Sequence, residues 1–590
     1  MKFYKLAQYL EKLTDTSSRL SMTDILAELF KNSGEDVSKV VYLILGRVAP
    51  QYEPVEFNYS EKLIMRGIAS ITRIPVDKVG EAFKKAGDIG LLIDELSLPD
   101  RKPSLSVARV FEVLEKIAGT GGTNSQAIKE SIYANLFRRV SNLELRFINK
   151  VLTGNLRLGL STKTIFDGLA LTTGNKGNRS VIEQAYGVRT DLGQIAEILN
   201  TSGINSLLSL KVEAGTPVAP KLVEREKNPE AIFKRISHSI VQPKLDGLRV
   251  HAHYSKNGFK NLYEKENAEM SLIAREKQTV KLFSRNLESL TDMFPDLVVA
   301  VDKLGNAIKA QSFVIDGEAI GIDTKTGKFL PFQETIKRRR KNDITSMSES
   351  HPVKLFAFDI LELNGKDLLN EQNTKRVDIL QKILLKGMSE KIVMTETSDV
   401  IKVEQIQELF DKYVAGGYEG IIVKAIDSLY KPGSRNFDWI KLKAGSTEGL
   451  LDNIDGVVLG YYVGAGVRTK FGIGAILIGT YDRDEQKFYS LAKVGTGFKD
   501  LEWPRIKQDL DELKVNSVPE NVVIDESLKP DVIVTPKIIA EIQADMVTKS
   551  KVHGGYSLRF PRLKIFGRDK YAEDCTSMEE VKHLFELQSK

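Results

Sequence analysis

A change in the spacing of apolar residues near position 215 constrains the fold of this 590-residue chain more than any other feature. Before that point, apolar residues recur every three or four positions, as at Leu6, Leu10 and Leu13, which is the period of an amphipathic helix. This period is interrupted at residues 34–36, 98–100 and 120–124. Residues 1–214 are therefore predicted to form an all-α domain.

Beyond the proline-rich segment 215–220, short apolar runs bounded by glycines and acidic residues replace the helical period. The predicted strands include 313–316, 355–359 and 420–423, with helical patches at 371–386 and 403–415. Strands mixed with helices in this way predict an α+β domain, which we place at residues 215–446.

The pattern changes again after Lys443. Apolar runs at 456–462, 475–479 and 532–534 are separated by glycine and acidic turns, which favours a small β-barrel over residues 447–590. A chain of 590 residues is also too long for one hydrophobic core, so several domains are expected.

Composition limits the class of protein. The net charge of +6 permits a polyanionic partner without requiring one. The single cysteine, Cys575, excludes a disulfide framework and a cysteine-based zinc site, and it indicates a reducing compartment. The first residues lack the apolar segment of a signal peptide, and the run 40–45 is too short to span a bilayer. We expect a soluble intracellular protein with no membrane contact.

The hexapeptide 244–249 carries the clearest chemistry in the chain. It places the amine of Lys244 beside the carboxylate of Asp246, a turn glycine and the guanidinium of Arg249. A lysine that attacks a phosphate, followed by a cation that holds the product, requires such a set. Its fixed residues occur by chance in roughly one chain of this length in a hundred, so the motif alone is a hypothesis.

Three later lysines could serve the same phosphate chemistry. Strand alternation places Lys441 and Lys443 on one face, with Ile440 and Leu442 on the other. Two lysines on one face can hold a triphosphate and favour the neutral amine that a nucleophilic lysine needs. Lys424 ends another apolar run. On these residues alone, an ordinary solvated strand face explains the pattern at least as well.

Two carboxylates adjoin apolar strands. Glu318 is predicted at the end of one strand and Glu419 at the start of another. Carboxylates so placed suit Mg²⁺, which takes few protein ligands and leaves positions for phosphate oxygens. Ordinary strand-edge acids remain the alternative. His251 and His253 are interpreted as two side chains on one strand face rather than as a metal site.

The order of these motifs resembles the nucleotidyltransferase core of ATP-dependent DNA ligases, replicative type, as found in archaea and eukaryotes. The residues that carry the resemblance are 244–249, Ser284-Arg285-Asn286, Asp316-Gly317-Glu318, Phe356 to Asp359, Glu419 to Lys424 and Trp439 to Lys443. Arg559 to Arg562 with Arg568-Asp569-Lys570 resembles the family's last motif, on an OB-fold barrel. Residues 331–333 leading into Lys337 to Arg340 resemble its basic segment.

The resemblance implies a function and a set of roles. Lys244 would attack the α-phosphate of ATP and form lysyl-AMP; the AMP would pass to the 5′-phosphate of a nick, and the 3′-hydroxyl would then seal the strand. Glu318 and Glu419 would hold Mg²⁺, and Phe358 would stack on adenine. The residues expected to bind the nucleotide are Gln242, Arg249, Arg285, Glu318, Phe358, Lys424, Lys441, Lys443, Arg568 and Lys570.

The helical region resembles the DNA-binding domain of these ligases. Residues 155–162 are similar to its nick-binding loop, so the DNA-binding residues expected are Arg157, Gly159, Thr162 and Lys163. Gly159 would allow close approach of the backbone, whereas Ser161, Thr162, Lys163 and Thr164 would offer donors to phosphates. A plain helix cap explains any single one of these residues equally well.

The chain departs from the family pattern two residues before Lys244, where Gln242 replaces the usual glutamate. A glutamine can accept the hydrogen bond of the adenine amino group, but it can also donate. ATP is therefore the predicted nucleotide, while its selectivity over GTP is left open. Pro243 and Gly567 are two further departures.

Other classes of protein fit this sequence less well than a DNA ligase does. An RNA ligase or a capping-type nucleotidyltransferase usually lacks a helical domain of this size. An NAD-dependent ligase would need a four-cysteine zinc module, which a chain with one cysteine cannot form. A non-catalytic nick-binding clamp would not need the full set of catalytic motifs. The expected partner is nicked double-stranded DNA, and a sliding clamp is a further candidate. The protein itself is expected to be a monomer. The expected location is the cytoplasm, at the prokaryotic nucleoid, or the nucleus in a eukaryote.

Overall fold

A computed structural model describes the chain except for residues 17, 123, 157, 260–277, 324–325, 331–334, 336–351, 444–452, 465–467, 469–470, 500–501, 545, 551–554 and 589–590. The described residues form two compact units. The first comprises Met1–Lys221, Arg249–Met394 and Leu429–Ser434; the second comprises Leu222–Leu248, Thr395–Ser428 and Arg435–Lys590.

The described helices are numbered along the chain. They are α1 Phe3–Thr14, α2 Arg19–Ser33, α3 Val37–Ile44, α4 Glu61–Thr72, α5 Val76–Ala86, α6 Leu92–Glu95, α7 Val107–Gly119, α8 Ser125–Phe137, α9 Asn142–Leu152, α10 Thr162–Thr172, α11 Arg179–Val188, α12 Leu192–Ser202, α13 Ile204–Leu207, α14 Pro229–Arg235, α15 Pro295–Ile308, α16 Asn373–Gly387, α17 Val403–Ala415, α18 Trp503–Asp511 and α19 Met578–Gln588.

The strands are numbered in the same way. They are β1 Leu222–Arg225, β2 Ser239–Pro243, β3 Leu248–Ser255, β4 Val280–Ser284, β5 Ser312–Gly321, β6 Val353–Leu363, β7 Lys366–Asp367, β8 Ile392–Met394, β9 Ser398–Val400, β10 Gly420–Ala425, β11 Arg435–Lys443, β12 Ile454–Tyr462, β13 Ala475–Asp482, β14 Lys487–Val494, β15 Lys514–Val515, β16 Val522–Val523, β17 Val532–Val534, β18 Ile539–Gln543, β19 Met546–Lys549, β20 Tyr556–Arg559 and β21 Arg562–Arg568.

The predicted helical region is confirmed, and its breaks fall between helices as expected. Leu6, Leu10 and Leu13 of α1 are buried in one continuous core that extends through α13. Polar groups fix helix ends as well: Ser141 and Glu144 form a capping box at the start of α9, which satisfies amide groups that the first helical turn leaves unpaired.

The first unit also contains a mixed sheet with the strand order β4-β3-β5-β6-β7, in which β8 lies parallel to β6. Helix α16 confirms the helical patch predicted at 371–386, and α17 in the second unit confirms the one at 403–415. Glu318 lies inside β5, three residues before its end, so the prediction that it terminates a strand was wrong; the strand continues through the apolar pair Ala319 and Ile320.

His251 and His253 are both buried on β3 with their rings 6.4 Å apart, which confirms the one-face interpretation.

Besides the two-stranded sheet of β19 and β20, the described residues of the second unit form two larger sheets. One has the order β1-β11-β10-β2-β9 and packs α14 and α17 against a core that includes Val241, Ile440 and Leu442. The other has the order β15-β17-β12-β13-β14-β16, and β18 joins β12 to β21. Strand β12 pairs with β18 along its first half and with β17 further on, so the sheet curls around its own core.

The predicted α+β segment 215–446 contributes strands to both compact units. The domain boundaries at 214 and 446 stay predictions. Among the described residues, no helix has the length and apolar composition needed to cross a bilayer.

The buried pair of Arg376 and Asp359 gives a stability prediction for the first unit. Both side chains have 0% exposure, and Arg376 donates to the two carboxylate oxygens over 2.7 and 3.0 Å. Arg376→Met should lower the free energy of unfolding by about 3 kcal/mol or more, because Asp359 would stay buried without its partner. Chemical denaturation monitored by circular dichroism measures this change.

Arg109→Met is the matched control, because Arg109 pairs with Glu112 on the surface and its side chain is 56% exposed. It should cost less than about 1 kcal/mol. Equal effects of the two substitutions would contradict the prediction.

Candidate active site

Strand β2 delivers Lys244 to the site. All five residues of β2 are buried, and the strand pairs with β10 on one side and β9 on the other. The pairing with β10 continues past Pro243, since the amide of Lys244 donates to the carbonyl of Gly420 over 2.8 Å. Pro243 is tolerated because the pairing of β2 with β9 ends at Val241 and Ser398. The amide proton that proline lacks is therefore not needed for a hydrogen bond between these strands.

Glu419 is the acidic partner of Lys244. Its amide donates to the carbonyl of Lys244 over 3.2 Å, and its carboxylate forms an ion pair with the Lys244 amine. The amine of Lys443 lies 3.7 Å from the same carboxylate. Burial alone would raise the pKa of Glu419, but the charges of Lys244 and Lys443 outweigh it and lower that pKa to about 2. Glu419 is thus ionised at neutral pH.

The alternation predicted for β11 is confirmed. Ile440 and Leu442 are fully buried in the core, whereas Lys441 and Lys443 lie on the opposite face. Burial lowers the pKa of Lys441 well below its usual range, and the positive charges of Lys570, Lys443 and Lys244 lower it further. Burial and the charge of Lys244 also lower the pKa of Lys443. The positive charge on this face of β11 therefore favours the binding of an anion.

Arg568 and Lys570, from the C-terminal region, lie in the same unit. Asp455 at the start of β12 pairs with Lys570 and lies 3.7 Å from Arg568, which also contacts Glu541 over 2.5 Å. Burial opposes the ionisation of Asp455, but Lys570 and Arg568 lower its pKa to about 2. Asp455 and Glu541 thus hold both cations in fixed positions.

Lys424 differs from the other lysines of this unit. It is 2% exposed, and its amine lies 4.0 Å from the centre of the Trp439 ring, directly opposite in the ladder. Gln242 is equally buried, and its amide nitrogen donates to the hydroxyl of Thr397 over 3.1 Å.

Arg249 belongs to the first unit, where Asp316 holds it by two hydrogen bonds of 3.0 and 2.6 Å. Tyr430 donates to Asp316 over 3.0 Å and accepts from Arg249 over 3.2 Å. Burial would lower the pKa of Arg249, but Asp316 and Tyr430 raise it above its ordinary value. The guanidinium is permanently charged and lies 5.5 Å from the ring of Phe358.

Arg285 and Glu318 complete the predicted nucleotide-binding set in the first unit. Arg285 follows β4 in a turn that the Ser284 hydroxyl closes by accepting from the amides of Asn286 and Glu288. Glu318 is half-buried opposite Phe356 in the β5–β6 ladder.

Of the predicted DNA-binding residues, Thr162 and Lys163 begin α10, and Gly159 lies in the loop before it; Arg157 is outside the described residues. Gly159, Thr162 and Lys163 are exposed, and Gly159 has a φ of +65°, a conformation that favours glycine. Ser161 caps the helix by accepting from the Thr164 amide, and Thr164 is buried. For these two residues the helix-cap interpretation is therefore the one observed.

The residues missed by the sequence interpretation are the partners that orient the cations: Asp455, Glu541, Asp316 and Tyr430, together with Thr397. One signal was available for Asp455. An acid followed by glycine and an apolar run occurs at 455–458, as it does at 419–422. The basic segment predicted at 331–340 lies almost entirely outside the described residues.

The acids suit a hard divalent cation. The described residues contain no cluster of three or more metal-ligating side chains. Mg²⁺, however, is usually bound through one or two carboxylates plus substrate phosphates and water. Glu419 meets that requirement because it is ionised and its side chain is 22% exposed. Within the first unit taken by itself, half-buried Glu318 offers one carboxylate.

A lysine in a cationic setting beside an ionised carboxylate has the groups that nucleotidyl transfer requires. Three family models match the chain in order: DNA ligase N terminus over residues 2–170, ATP dependent DNA ligase domain over 265–443, and ATP dependent DNA ligase C terminal region over 469–570. The second model begins after Lys244, but full-length relatives include that position.

A probable DNA ligase of Dictyoglomus turgidum is 40% identical across 100% of this chain and 98% of its own length. A DNA ligase of Nitrosopumilus maritimus is 36% identical across 100% of this chain and 99% of its own length. The chain therefore belongs to the family of ATP-dependent DNA ligases and is an enzyme of that family. The RNA ligase and capping alternatives are not favoured.

The lowered pKa of Lys441 generates a prediction about stability. The unfolded chain binds a proton at this lysine more readily than the folded protein does, so wild-type stability should rise with pH toward the usual lysine range. Lys441→Met should remove that rise, increase the free energy of unfolding at pH 7 by about 1 kcal/mol and impair self-adenylylation. Unfolding curves between pH 6 and 10 test the stability part.

Lys424→Met is a control on the same sheet face. It loses the contact with Trp439 and should therefore destabilise the protein by about 1 kcal/mol. A destabilising effect of Lys441→Met at pH 7 would contradict the electrostatic interpretation.

Proposed function

We propose that this enzyme seals nicks in duplex DNA by carrying AMP on the amine of Lys244. The observation that supports this role is the pairing of Lys244 with ionised Glu419 within a cluster of cations from β11 and the C-terminal region. Transfer of a phosphoryl-type group depends on positioning and charge neutralisation more than on covalent chemistry, and this cluster provides both.

In the first step, the neutral amine of Lys244 attacks the α-phosphorus of ATP. A P–N bond forms, the bond to the β-phosphate breaks, the amine loses a proton, and pyrophosphate leaves. Lys441 and Lys443 hold the α-phosphate, and Arg568 and Lys570 neutralise the leaving β- and γ-phosphates. Asp455 and Glu541 keep these two cations in position before the nucleotide arrives.

In the second step, a 5′-phosphate oxygen at the nick attacks the same phosphorus and the P–N bond breaks, which returns the lysine. The 3′-hydroxyl then attacks the 5′-phosphorus and expels AMP, so that a phosphodiester bond replaces the nick. Glu419 and Glu318 would hold Mg²⁺, and the ion would supply charge neutralisation at the phosphates.

The remaining residues have proposed roles in nucleotide recognition. Arg249, oriented by Asp316 and Tyr430, binds the ribose or phosphate, and Arg285 supports it. Phe358 stacks on adenine, and Gln242 reads its amino group. Lys424 acts through Trp439, because the ring already covers its amine.

The proposed domain organisation is a DNA-binding domain at 1–214, an adenylation domain at 215–446 and an OB-fold at 447–590. The curled sheet of β12 to β18 is compatible with an OB-fold. The relatives come from bacteria and archaea, so we place the enzyme in the prokaryotic cytoplasm, where its partner is nicked duplex DNA. A monomeric state and a sliding-clamp partner stay predictions.

Labelled ATP tests the role of Lys244. Wild-type protein with magnesium and α-labelled ATP should become labelled and then transfer the label to nicked duplex, whereas Lys244→Ala should do neither. The variant should still seal a nick that already carries a 5′-AMP, because only the carrier amine is missing. Chelation of magnesium should abolish labelling of the wild type.

Lys256→Ala is the control, since Lys256 is an exposed lysine outside the site. It should label and seal as the wild type does. Retention of label by Lys244→Ala would refute the mechanism.

Nick binding should depend on the start of α10. Lys163 is exposed there, and its proposed contact with a phosphate predicts that Lys163→Ala weakens binding about three- to tenfold at moderate salt. The slope of log affinity against log salt should fall by about one. Fluorescence anisotropy with nicked duplex measures both quantities. Lys5→Ala, an exposed change on α1, should alter neither; equal losses in both variants would contradict a local contact.

A further inference from the structure

Gln242 has a chemical ambiguity that the structure resolves. Its side chain carries both a carbonyl acceptor and an amide donor, so an amide pointing either way could face a nucleobase. Adenine presents an amino donor at position 6, whereas guanine presents a carbonyl acceptor there. The orientation of this one amide therefore decides which base is accepted.

Thr397 lies directly opposite Gln242. Strand β2 pairs with β9 through Val241 and Ser398, and Thr397 is the residue that precedes β9. The Gln242 amide group lies 3.1 Å from the Thr397 hydroxyl oxygen, and that hydroxyl lies 2.8 Å from the carbonyl oxygen of Thr395.

Only one assignment of donors and acceptors fits both contacts of the Thr397 hydroxyl. The carbonyl of Thr395 can only accept, so the single hydroxyl proton of Thr397 is donated to it. The hydroxyl oxygen of Thr397 must then accept from Gln242. The group of Gln242 that faces Thr397 is therefore the amide nitrogen Nε2, and the carbonyl oxygen Oε1 points away from it.

Gln242 and Lys244 are two residues apart along one extended segment, so their side chains project to the same face of the sheet. Ile422 in β10, opposite Gln242, is also paired with Lys441, so that face carries the cationic cluster. In the described part of the chain, Oε1 of Gln242 receives no hydrogen bond. Oε1 of Gln242 is thus a carbonyl acceptor on the sheet face that carries the cationic cluster, where the proposed nucleotide would bind.

We propose that Thr397 determines nucleobase selectivity by orienting the amide of Gln242, so that Oε1 accepts from the adenine amino group and opposes the guanine carbonyl. Thr397 is a positioning residue, since it acts through Gln242. This inference rests on the proposed function, in which Gln242 reads the base that Lys244 receives. A glutamine held in this way provides the acceptor that the family usually obtains from glutamate.

Thr397→Val tests the proposal, because it removes the accepting oxygen and keeps the shape of the side chain. Initial rates of covalent labelling from α-labelled ATP and GTP give kcat/KM for each nucleotide. The ATP-to-GTP ratio should fall by about tenfold, because the amide of Gln242 can then turn its donor toward guanine. Thr397→Ser, which keeps the hydroxyl, should retain the wild-type ratio.

A double-variant comparison separates orientation from packing. Gln242→Glu presents only acceptors, so adding Thr397→Val to it should leave the ATP-to-GTP ratio unchanged. Thr480→Val, at a buried threonine of β13, controls for the general effect of replacing a hydroxyl and should also leave it unchanged.

Each outcome is decisive. An unchanged ratio in Thr397→Val, an equal fall in Thr397→Ser, or a fall of the same size in the Gln242→Glu background would overturn the proposal. Equal labelling of the wild type by ATP and GTP would overturn it as well. Label that survives Lys244→Ala would instead refute the proposed function, independently of the role of Thr397.

Discussion

The concentration of positive charge around β11 is the constraint on which the second unit depends. Five cations share four carboxylates there: Lys244, Lys441, Lys443, Arg568 and Lys570 against Asp246, Glu419, Asp455 and Glu541. Burial of these charges, together with their imbalance, raises the free energy of the cluster, as the lowered pKa of Lys441 indicates. Binding a polyanion would offset the excess positive charge, so the charge that destabilises the free protein is the same charge that, in the proposed function, binds a triphosphate.

The acids of this cluster orient the cations. Without Asp455 and Glu541, the side chains of Arg568 and Lys570 would sample many rotamers, and nucleotide binding would have to order them. Pairing in advance reduces that entropic cost and leaves the charges aimed before the reaction begins. Asp316 and Tyr430 do the same for Arg249 in the first unit. Both units therefore use buried or half-buried carboxylates to fix cations.

Local pattern predicted much of this arrangement. The helical period of residues 1–214, the apolar strands and the alternation of Lys441 with Ile440 are short-range properties, and the structure confirms them. Which residues meet across long separations could not be predicted from such patterns. Lys244 and Glu419 are 175 residues apart, and Tyr430 lies 209 residues from its partner Lys221. Strand order brings these groups together, and periodicity does not specify strand order.

Gln242 illustrates why a motif cannot be interpreted one position at a time. At a buried site, an ionised glutamate must lose the hydration of its charge, whereas an oriented glutamine presents the same acceptor lone pairs without any charge. The amide reaches that result only if another group consumes its donor, and here the group is the hydroxyl of Thr397, 155 residues further along the chain. The role of Gln242 thus depends on Thr397, next to β9, as well as on Gln242 itself. An exchange of glutamate for glutamine at this position preserves adenine recognition where the neighbouring strand supplies an acceptor, and loses it where that strand does not.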